Sequence, residues 1–361
     1  MKGYEFSFFA LYPYLIISIV FLLSSTKYIK NGPKIIFVIL MLFTCLRYNV
    51  GWDYFAYVDL IKGNIVTIVN SRFEPLSILV FLCAKYLNFY PLVFIFFGYL
   101  TLKLTQLTIN KYSVDPVISW VVFYSLPLFY FASLSTIRQS IAAAFILFSY
   151  NYIINKKTIL FLLMILIASL FHVSAIAGLL LLPLAKIPVS LKFNWILLGL
   201  SFLLSPILKN LLLNINLGFP ILTTLKYYIN ANITGSTILQ YLYYAIGVTN
   251  LLFYKKLTEK SEENKQLIAI TTAGLFIYNL LSFEPVSAGR ISAFFLIFWI
   301  LIIPHYANFF KEWQRPFVRF TVSLFLILIS FAYLNIYISA YQNKVLEKIS
   351  FLPYKVWFNN L

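Results

Sequence analysis

Apolar stretches long enough to cross a bilayer follow one another along this chain, and nothing else restricts its fold so strongly. They fall at about 6–25, 33–47, 91–109, 117–134, 137–154, 158–184, 192–213, 238–254, 266–283, 290–310 and 317–340. A spanning helix needs about 20 predominantly apolar residues to cross the hydrocarbon core. Residues 75–88 form a shorter apolar piece, and 158–184 divides into 158–171 and 173–184. The expected fold is all-α: a polytopic integral membrane helical bundle of about 11–13 spans. It reads as a single membrane domain over residues 1–361. A transmembrane barrel fits poorly, because barrel strands alternate polar and apolar whereas these segments are apolar all round.

Composition closes off the remaining classes. Hydrophobic residues make up 61% and charged residues 11% of the chain, against about 45–50% and 25% in soluble domains. A water-soluble fold cannot hide so much apolar surface, so a soluble enzyme, a disordered tail and a disulfide scaffold are excluded. Cys45 and Cys83 lie within or beside apolar segments and suggest neither a disulfide nor a metal site. The first apolar run, Phe6–Ser25, has no Ala-x-Ala-like site after it and reads as the first span.

The formal charge is +17. On a soluble protein that would suggest nucleic acid; here it reflects cytoplasmic lysines and contact with anionic headgroups, and no nucleic-acid partner is expected. Lys27, Lys30 and Lys34; Lys156 and Lys157; Lys255, Lys256, Lys260 and Lys265; and Lys311, Arg315 and Arg319 form four basic loops. The positive-inside rule puts all four in the cytoplasm. Residues 47–74, 135–138, 214–237 and 284–290 then face outward. Parity requires one segment between the first two basic loops not to cross. The 75–88 piece, with Lys85, Asn88 and then Pro91, is the candidate for a re-entrant segment.

Of the six arginines, four (Arg47, Arg72, Arg138 and Arg290) fall at outward ends of apolar segments. Ionisable groups near a bilayer are costly unless paired or hydrated. Arginine is also the side chain suited to bidentate phosphate binding. In the stretch Arg47 to Tyr57, Gly51 permits a tight turn, across which Arg47 and Asp53 could pair. Tyr54 and Tyr57 offer hydrogen-bonding, ring-stacking surface for a sugar. The alternative is an interfacial arginine with an aromatic belt.

In Ser135–Ser140 a hydroxyl of Ser135 or Thr136 is placed to cap a helix. Arg138, in the first turn with Gln139, opposes the helix dipole. Either Glu74 or Glu284 neutralises it, or an anion such as phosphate does so. His172, inside an apolar run, is either a helix–helix contact or a base for an incoming hydroxyl. Glu284 and Arg290 flank Pro285 and Gly289, expected to break a helix, as a salt bridge or as part of an anion site. No nucleotide loop, metal-ligand spacing or Ser-His-Asp pattern is present.

The stretches Arg-x-x-Val-Gly-x-Asp-Tyr-x-x-Tyr (47–57), Ile-Arg-Gln-Ser-Ile-Ala (137–142) and Ala-Ser-Leu-Phe-His-x-Ser-Ala (168–175) occur in this order. The chain resembles the EpsG-like family of bacterial exopolysaccharide and capsule biosynthesis proteins, itself similar to Wzy-type O-antigen and capsule polymerases. The resemblance is clearest over 35–185. It implies a GT-C-like, metal-independent, inverting membrane glycosyltransferase with no cofactor, in the bacterial cytoplasmic membrane. The growing glycan would pass from undecaprenyl diphosphate to a hydroxyl of the next lipid-linked repeat unit, on the outer face. The implied partners are the undecaprenyl-diphosphate-linked oligosaccharide, the bilayer, a chain-length regulator and a flippase.

On that expectation Arg138, Arg290 and Arg47 bind the diphosphate. His172 is the favoured base, with Asp53 and Glu284 as alternatives. Tyr54, Tyr57 and Gln139 contact sugar. An O-antigen-ligase-like transferase, or a transporter or flippase of lipid-linked oligosaccharide, are the competing readings.

Overall fold

The computed structural model describes residues 11–26, 31–186, 190–214, 237–259, 261–342 and 351–359, with Ile29, Lys226 and Ile229. Most of the expected outward loop at 214–237, and Lys27, Lys30 and Lys260, lie outside these residues. The chain runs through α1 (Tyr12–Ser25), α2 (Gly32–Cys45), β1 (Arg47–Tyr48), α3 (Tyr54–Lys62), α4 (Ile65–Val69), α5 (Pro75–Tyr86) and α6 (Pro91–Tyr112). It continues through α7 (Pro116–Ser125), α8 (Tyr130–Ser135), α9 (Ile137–Ile154), α10 (Thr158–Phe171), a 3₁₀ turn (Val173–Leu180), α11 (Leu181–Lys186) and α12 (Leu191–Asn214). Then come α13 (Thr237–Leu252), α14 (Tyr254–Thr258), α15 (Glu263–Leu280), α16 (Pro285–Leu296), α17 (Trp299–Ile302), a 3₁₀ turn (Ile303–Phe309), α18 (Arg315–Gln342) and β2 (Lys355–Val356).

The fold is an all-α, polytopic membrane bundle, as hydropathy predicts. Among the described residues, five helical stretches are long and apolar enough to cross a membrane alone, and shorter apolar helices of 10–17 residues accompany them. Proline stands in the first turn of α1, α2, α5, α6, α7 and α16. That position needs no intrahelical N–H, so proline removes a donor that hydrocarbon would leave unsatisfied.

One expected single span, 117–134, is broken, and the chain divides at His172 as expected. Between α7 and α8, Pro127 cannot continue a helix and holds Leu126 extended, at ψ 119°. His172 ends α10 in an extended conformation, at φ −156° and ψ 115°. Two other expectations change. Much of the 47–74 stretch, expected as an outward loop, is helical, as α3 and α4. Pro285 and Gly289 do not break a helix: Pro285 begins α16 and Gly289 lies inside it.

The helices cluster as two compact units, Met1–Ile176 with Ile303–Leu361, and Ala177–Ile302. The first unit is closed by the return of the chain's last part. Arg319 Nε donates to Asp115 Oδ2 at 2.7 Å, fixing the start of α18 to the start of α7. Tyr14 in α1 donates to the Phe351 carbonyl at 2.6 Å. β2 pairs antiparallel with β1, Arg47 opposite Val356 and Tyr48 opposite Lys355.

Within this unit α5 packs against several elements. Its buried face packs with α3, with Val93, Phe94 and Phe97 early in α6, with Ile137 and Ile141 early in α9, and with Phe171 closing α10. Its first turn reaches Phe171, through Ser77 Oγ to the carbonyl at 3.0 Å. Its last turn reaches the end of α3, through Lys85 Nζ to the carbonyls of Ile61 (3.1 Å) and Gly63. A 12-residue helix rises only about 18 Å.

The second unit is built on close helix crossings at small residues. A Cβ added to Gly247 would fall 1.9 Å from Leu275 Cδ1, and one at Gly274 would fall 2.8 Å from Phe295 Cβ. Small residues let helix backbones approach where lipid offers no hydrophobic drive for association. Asn279 Nδ2 donates to Ser201 Oγ at 2.9 Å, joining α15 to α12.

Candidate functional site

The first and second motifs meet directly. Gly51 adopts φ +105°, a region L side chains rarely enter, and a Cβ there would sit 1.7 Å from the Leu134 carbonyl oxygen. Gly51 thus provides both the turn and a close approach to α8. Next to it, Trp52 N–H donates to Ser135 Oγ at 3.1 Å. This overturns the expected cap: no side chain caps α9, and the Thr136 hydroxyl donates to the Ala132 carbonyl at 3.1 Å. Ser135 is occupied in docking the 47–53 turn.

The second and third motifs meet through Glu74. Arg138 Nη1 donates to Glu74 Oε2, and the two side chains are 17% and 13% exposed. Glu74 Oε1 accepts the Val173 N–H at 3.0 Å, at the residue after His172. The guanidinium lies 3.7 Å from the centre of the Phe73 ring, a cation–π contact. Its Nε has no hydrogen-bond partner among the described residues. Of the two neutralising carboxylates considered for Arg138, Glu74 is therefore the one used. His172 Nδ1 lies 2.7 Å from the Ser174 hydroxyl.

The expected Arg47–Asp53 pair is not formed. Asp53 is half-buried just before α3, while Arg47 points inward and is 0% exposed. Its Nη1 donates to the Thr44 carbonyl at 2.7 Å, and its Nε and Nη2 have no hydrogen-bond partner among the described residues. Phe94 lies beneath it, ring centre 5.0 Å from Cζ. Burial pushes the nearby Tyr54 and Tyr354 phenols well above their ordinary range, so neither supplies a counter-charge. Burial also pulls the Arg47 guanidinium down from its ordinary value.

The C-terminal segment covers this end of α2. Trp357 N–H and Nε1 donate to the carbonyls of Leu46 (3.0 Å) and Cys45 (3.2 Å). Tyr354 stacks on Phe43, with its hydroxyl donating to the Phe43 carbonyl at 2.8 Å.

Tyr54 and Tyr57, expected to touch sugar, are core residues at 1% and 4% exposure. Tyr54 stacks on Phe94 and Tyr57 packs on Phe73 and Phe81, because the inner face of α3 carries both. Gln139 is buried as well. In the second unit, Glu284 is fully buried and caps its own helix. Its carboxylate oxygens accept the N–H groups of Val286 (2.9 Å) and Ser287 (2.7 Å). Arg290 follows in the second turn of α16, partly buried.

Sequence reasoning gave Glu74 no more than a neutralising role, and it missed the pairing of β1 with the chain's end. A signal for Glu74 did exist: an acid precedes proline at Glu74–Pro75, Asp115–Pro116 and Glu284–Pro285. Among the described residues, no three His, Cys, Asp or Glu gather as a metal site.

Comparison with curated proteins and with solved structures gives no match. The EpsG family model matches residues 33–356, a range that holds all three motifs and their meeting point at Glu74. The chain belongs to the EpsG family, membrane proteins of exopolysaccharide biosynthesis.

Proposed function

We propose that this protein is a polysaccharide polymerase of the bacterial cytoplasmic membrane. It transfers a growing glycan from undecaprenyl diphosphate to a hydroxyl of a lipid-linked repeat unit on the outer face. The observation that carries the reading is Arg138. Its guanidinium is braced on the Phe73 ring at 3.7 Å, held by a single carboxylate, and partly open to an incoming anion.

The bond from the anomeric carbon to the diphosphate oxygen breaks as the acceptor oxygen attacks. Negative charge then grows on the leaving diphosphate. A fixed guanidinium meets that charge better in the transition state than in the ground state. Arg138 is the proposed binder of that diphosphate, with Arg47 beneath the 47–53 turn in an assisting role. The reaction also needs a proton acceptor. Both oxygens of Glu284 already serve helix N–H groups, which leaves His172 and Asp53 from the sequence candidates.

The chemistry asks nothing of a metal or cofactor. The test is turnover by purified protein given only lipid-linked repeat unit, scored for a ladder of longer chains. A ladder is expected; its absence, with the repeat unit recovered unchanged, would refute the reading.

A further inference from the structure

We propose that Glu74 is the proton acceptor of this transfer, restrained by Arg138 until the donor's diphosphate takes the guanidinium away. The inference rests on the polymerase reading and names a residue for its missing step.

It starts from a comparison of like with like. Asp115, before Pro116, turns its carboxylate onto the N–H groups of Val117 and Ile118. Glu284, before Pro285, does the same for Val286 and Ser287. Glu74 occupies the equivalent position before Pro75, with extended backbone at φ −76° and ψ 155°, yet its side chain makes no cap bond. An uncapped helix start is unfavourable near a bilayer, where orphan N–H groups find little water. The carboxylate instead reaches two other motifs, Arg138 in α9 and the Val173 amide beside His172. Geometry that gives up a local cap for these distant partners points to a task for the carboxylate itself.

The two oxygens differ in what can displace their partners. Oε1 holds a backbone amide, which a substrate has no means to remove. Oε2 holds the guanidinium, which is braced from one side by Phe73 and whose Nε has no partner among the described residues. A diphosphate offers this guanidinium more charge and more acceptor oxygens than one carboxylate does. When it binds, Oε2 is released beside the anion that displaced it. A carboxylate beside another anion takes up a proton more readily than one beside a guanidinium.

The step then balances. The acceptor hydroxyl gives its proton to Glu74 Oε2, and its oxygen lone pair forms the new bond to the anomeric carbon. The electrons of the old glycosidic bond leave with the undecaprenyl diphosphate, held by Arg138. When that product departs, Glu74 returns its proton to water and takes up Arg138 again. Donor binding thereby arms the base, and a site without donor keeps it engaged.

The experiment compares the purified full-length protein with Glu74→Gln. Gln can still accept the Val173 amide but neither competes as an anion nor takes the proton. Two quantities are read: affinity for a short-chain isoprenyl diphosphate, and elongation of the lipid-linked repeat unit. Loss of the competing charge should tighten diphosphate binding, by up to about fivefold, while elongation falls by about 10² or more. A carboxylate that only supports the fold predicts weaker binding, and that result would overturn the proposal. Unchanged elongation by Glu74→Gln would place the base elsewhere and also overturn it.

Glu74→Asp keeps the charge but withdraws it by one methylene. It should bind the diphosphate about as the wild type does and elongate more slowly; equal elongation would count against the proposal. Wild-type protein that binds the diphosphate but elongates nothing would refute the polymerase reading itself. Failure of Glu74 alone leaves wild-type elongation intact.

Discussion

Arg47→Met should make the protein more stable and less active. The guanidinium is 0% exposed, and no carboxylate lies within ion-pairing distance of it among the described residues. Two of its nitrogens, Nε and Nη2, have no hydrogen-bond partner among the described residues. Each such group costs about 1–3 kcal/mol in lost solvation, so about 2–6 together. Against this stand the charge-assisted bond to the Thr44 carbonyl at 2.7 Å, worth about 1.5–3 kcal/mol, and the Phe94 face at 5.0 Å, worth about 1 kcal/mol or more.

Methionine matches the length of the side chain, follows irregular spaces and contacts Phe94 favourably. The opposing figures bracket about −2 to +3.5 kcal/mol, and the Met–Phe94 contact of about 0.3–1.5 kcal/mol moves the centre to a gain of about 1–2 kcal/mol, the direction seen when buried charge is replaced by apolar side chains. Thermal unfolding of the detergent-solubilised protein should shift upward by a few degrees, while elongation in the lipid-linked assay falls. A drop in unfolding temperature would refute the reasoning, because Arg47 would then be a net support of the fold. Full activity with raised stability would leave the burial of this charge without a function.

Arg138→Lys keeps the charge but loses the planar fork, so elongation should fall about as far as in Arg138→Ala, on the order of 10²–10³; near-complete rescue by Lys would reduce the role to charge alone. Gly51→Ala should cost about 3 kcal/mol or more, combining φ +105° with a 1.7 Å approach to the Leu134 carbonyl; a thermal shift under one degree would contradict the described turn. Tyr48→Cys with Lys355→Cys, in a background where Cys45 and Cys83 are Ser, should form an intramolecular disulfide under mild oxidation, since the two positions face each other in β1 and β2. Failure of that pair to cross-link, when accessible to alkylation, would refute the strand register.

The helical membrane class was legible because hydropathy is a summed property, insensitive to any one contact. Gly51 was legible for a local reason: a glycine between an arginine and a tryptophan in a short turn signals unusual backbone. What local pattern could not reveal was the partner that each polar group takes. Ser135 and Thr136 carry ordinary cap chemistry, yet Ser135 accepts from Trp52, more than eighty residues earlier in the chain. Glu74 follows the same acid–proline rule as Asp115 and Glu284 but obeys it only in its backbone. Tyr54 and Tyr57 looked available because tyrosine is common at membrane interfaces; their shared helix face decided otherwise. In each case a contact distant in sequence outweighed the local preference, which is the ordinary way tertiary structure overrides propensity.

The pairing of β1 with β2 also bears on how the protein is made. Tyr354 and Trp357 bond to carbonyls 311 and 312 residues away, and Tyr14 reaches Phe351 across 337. During synthesis Arg47 emerges early, whereas the strand that closes over its end of α2 emerges after α18. For most of translation this charged side chain therefore sits at a membrane boundary without its final cover, where water and lipid phosphates are the available company. Completion of the Arg47 surroundings thus waits until β2 has followed α18. A ribosome stalled between α18 and β2 would hold a chain whose earlier helices are made and whose Arg47 lacks this one wall.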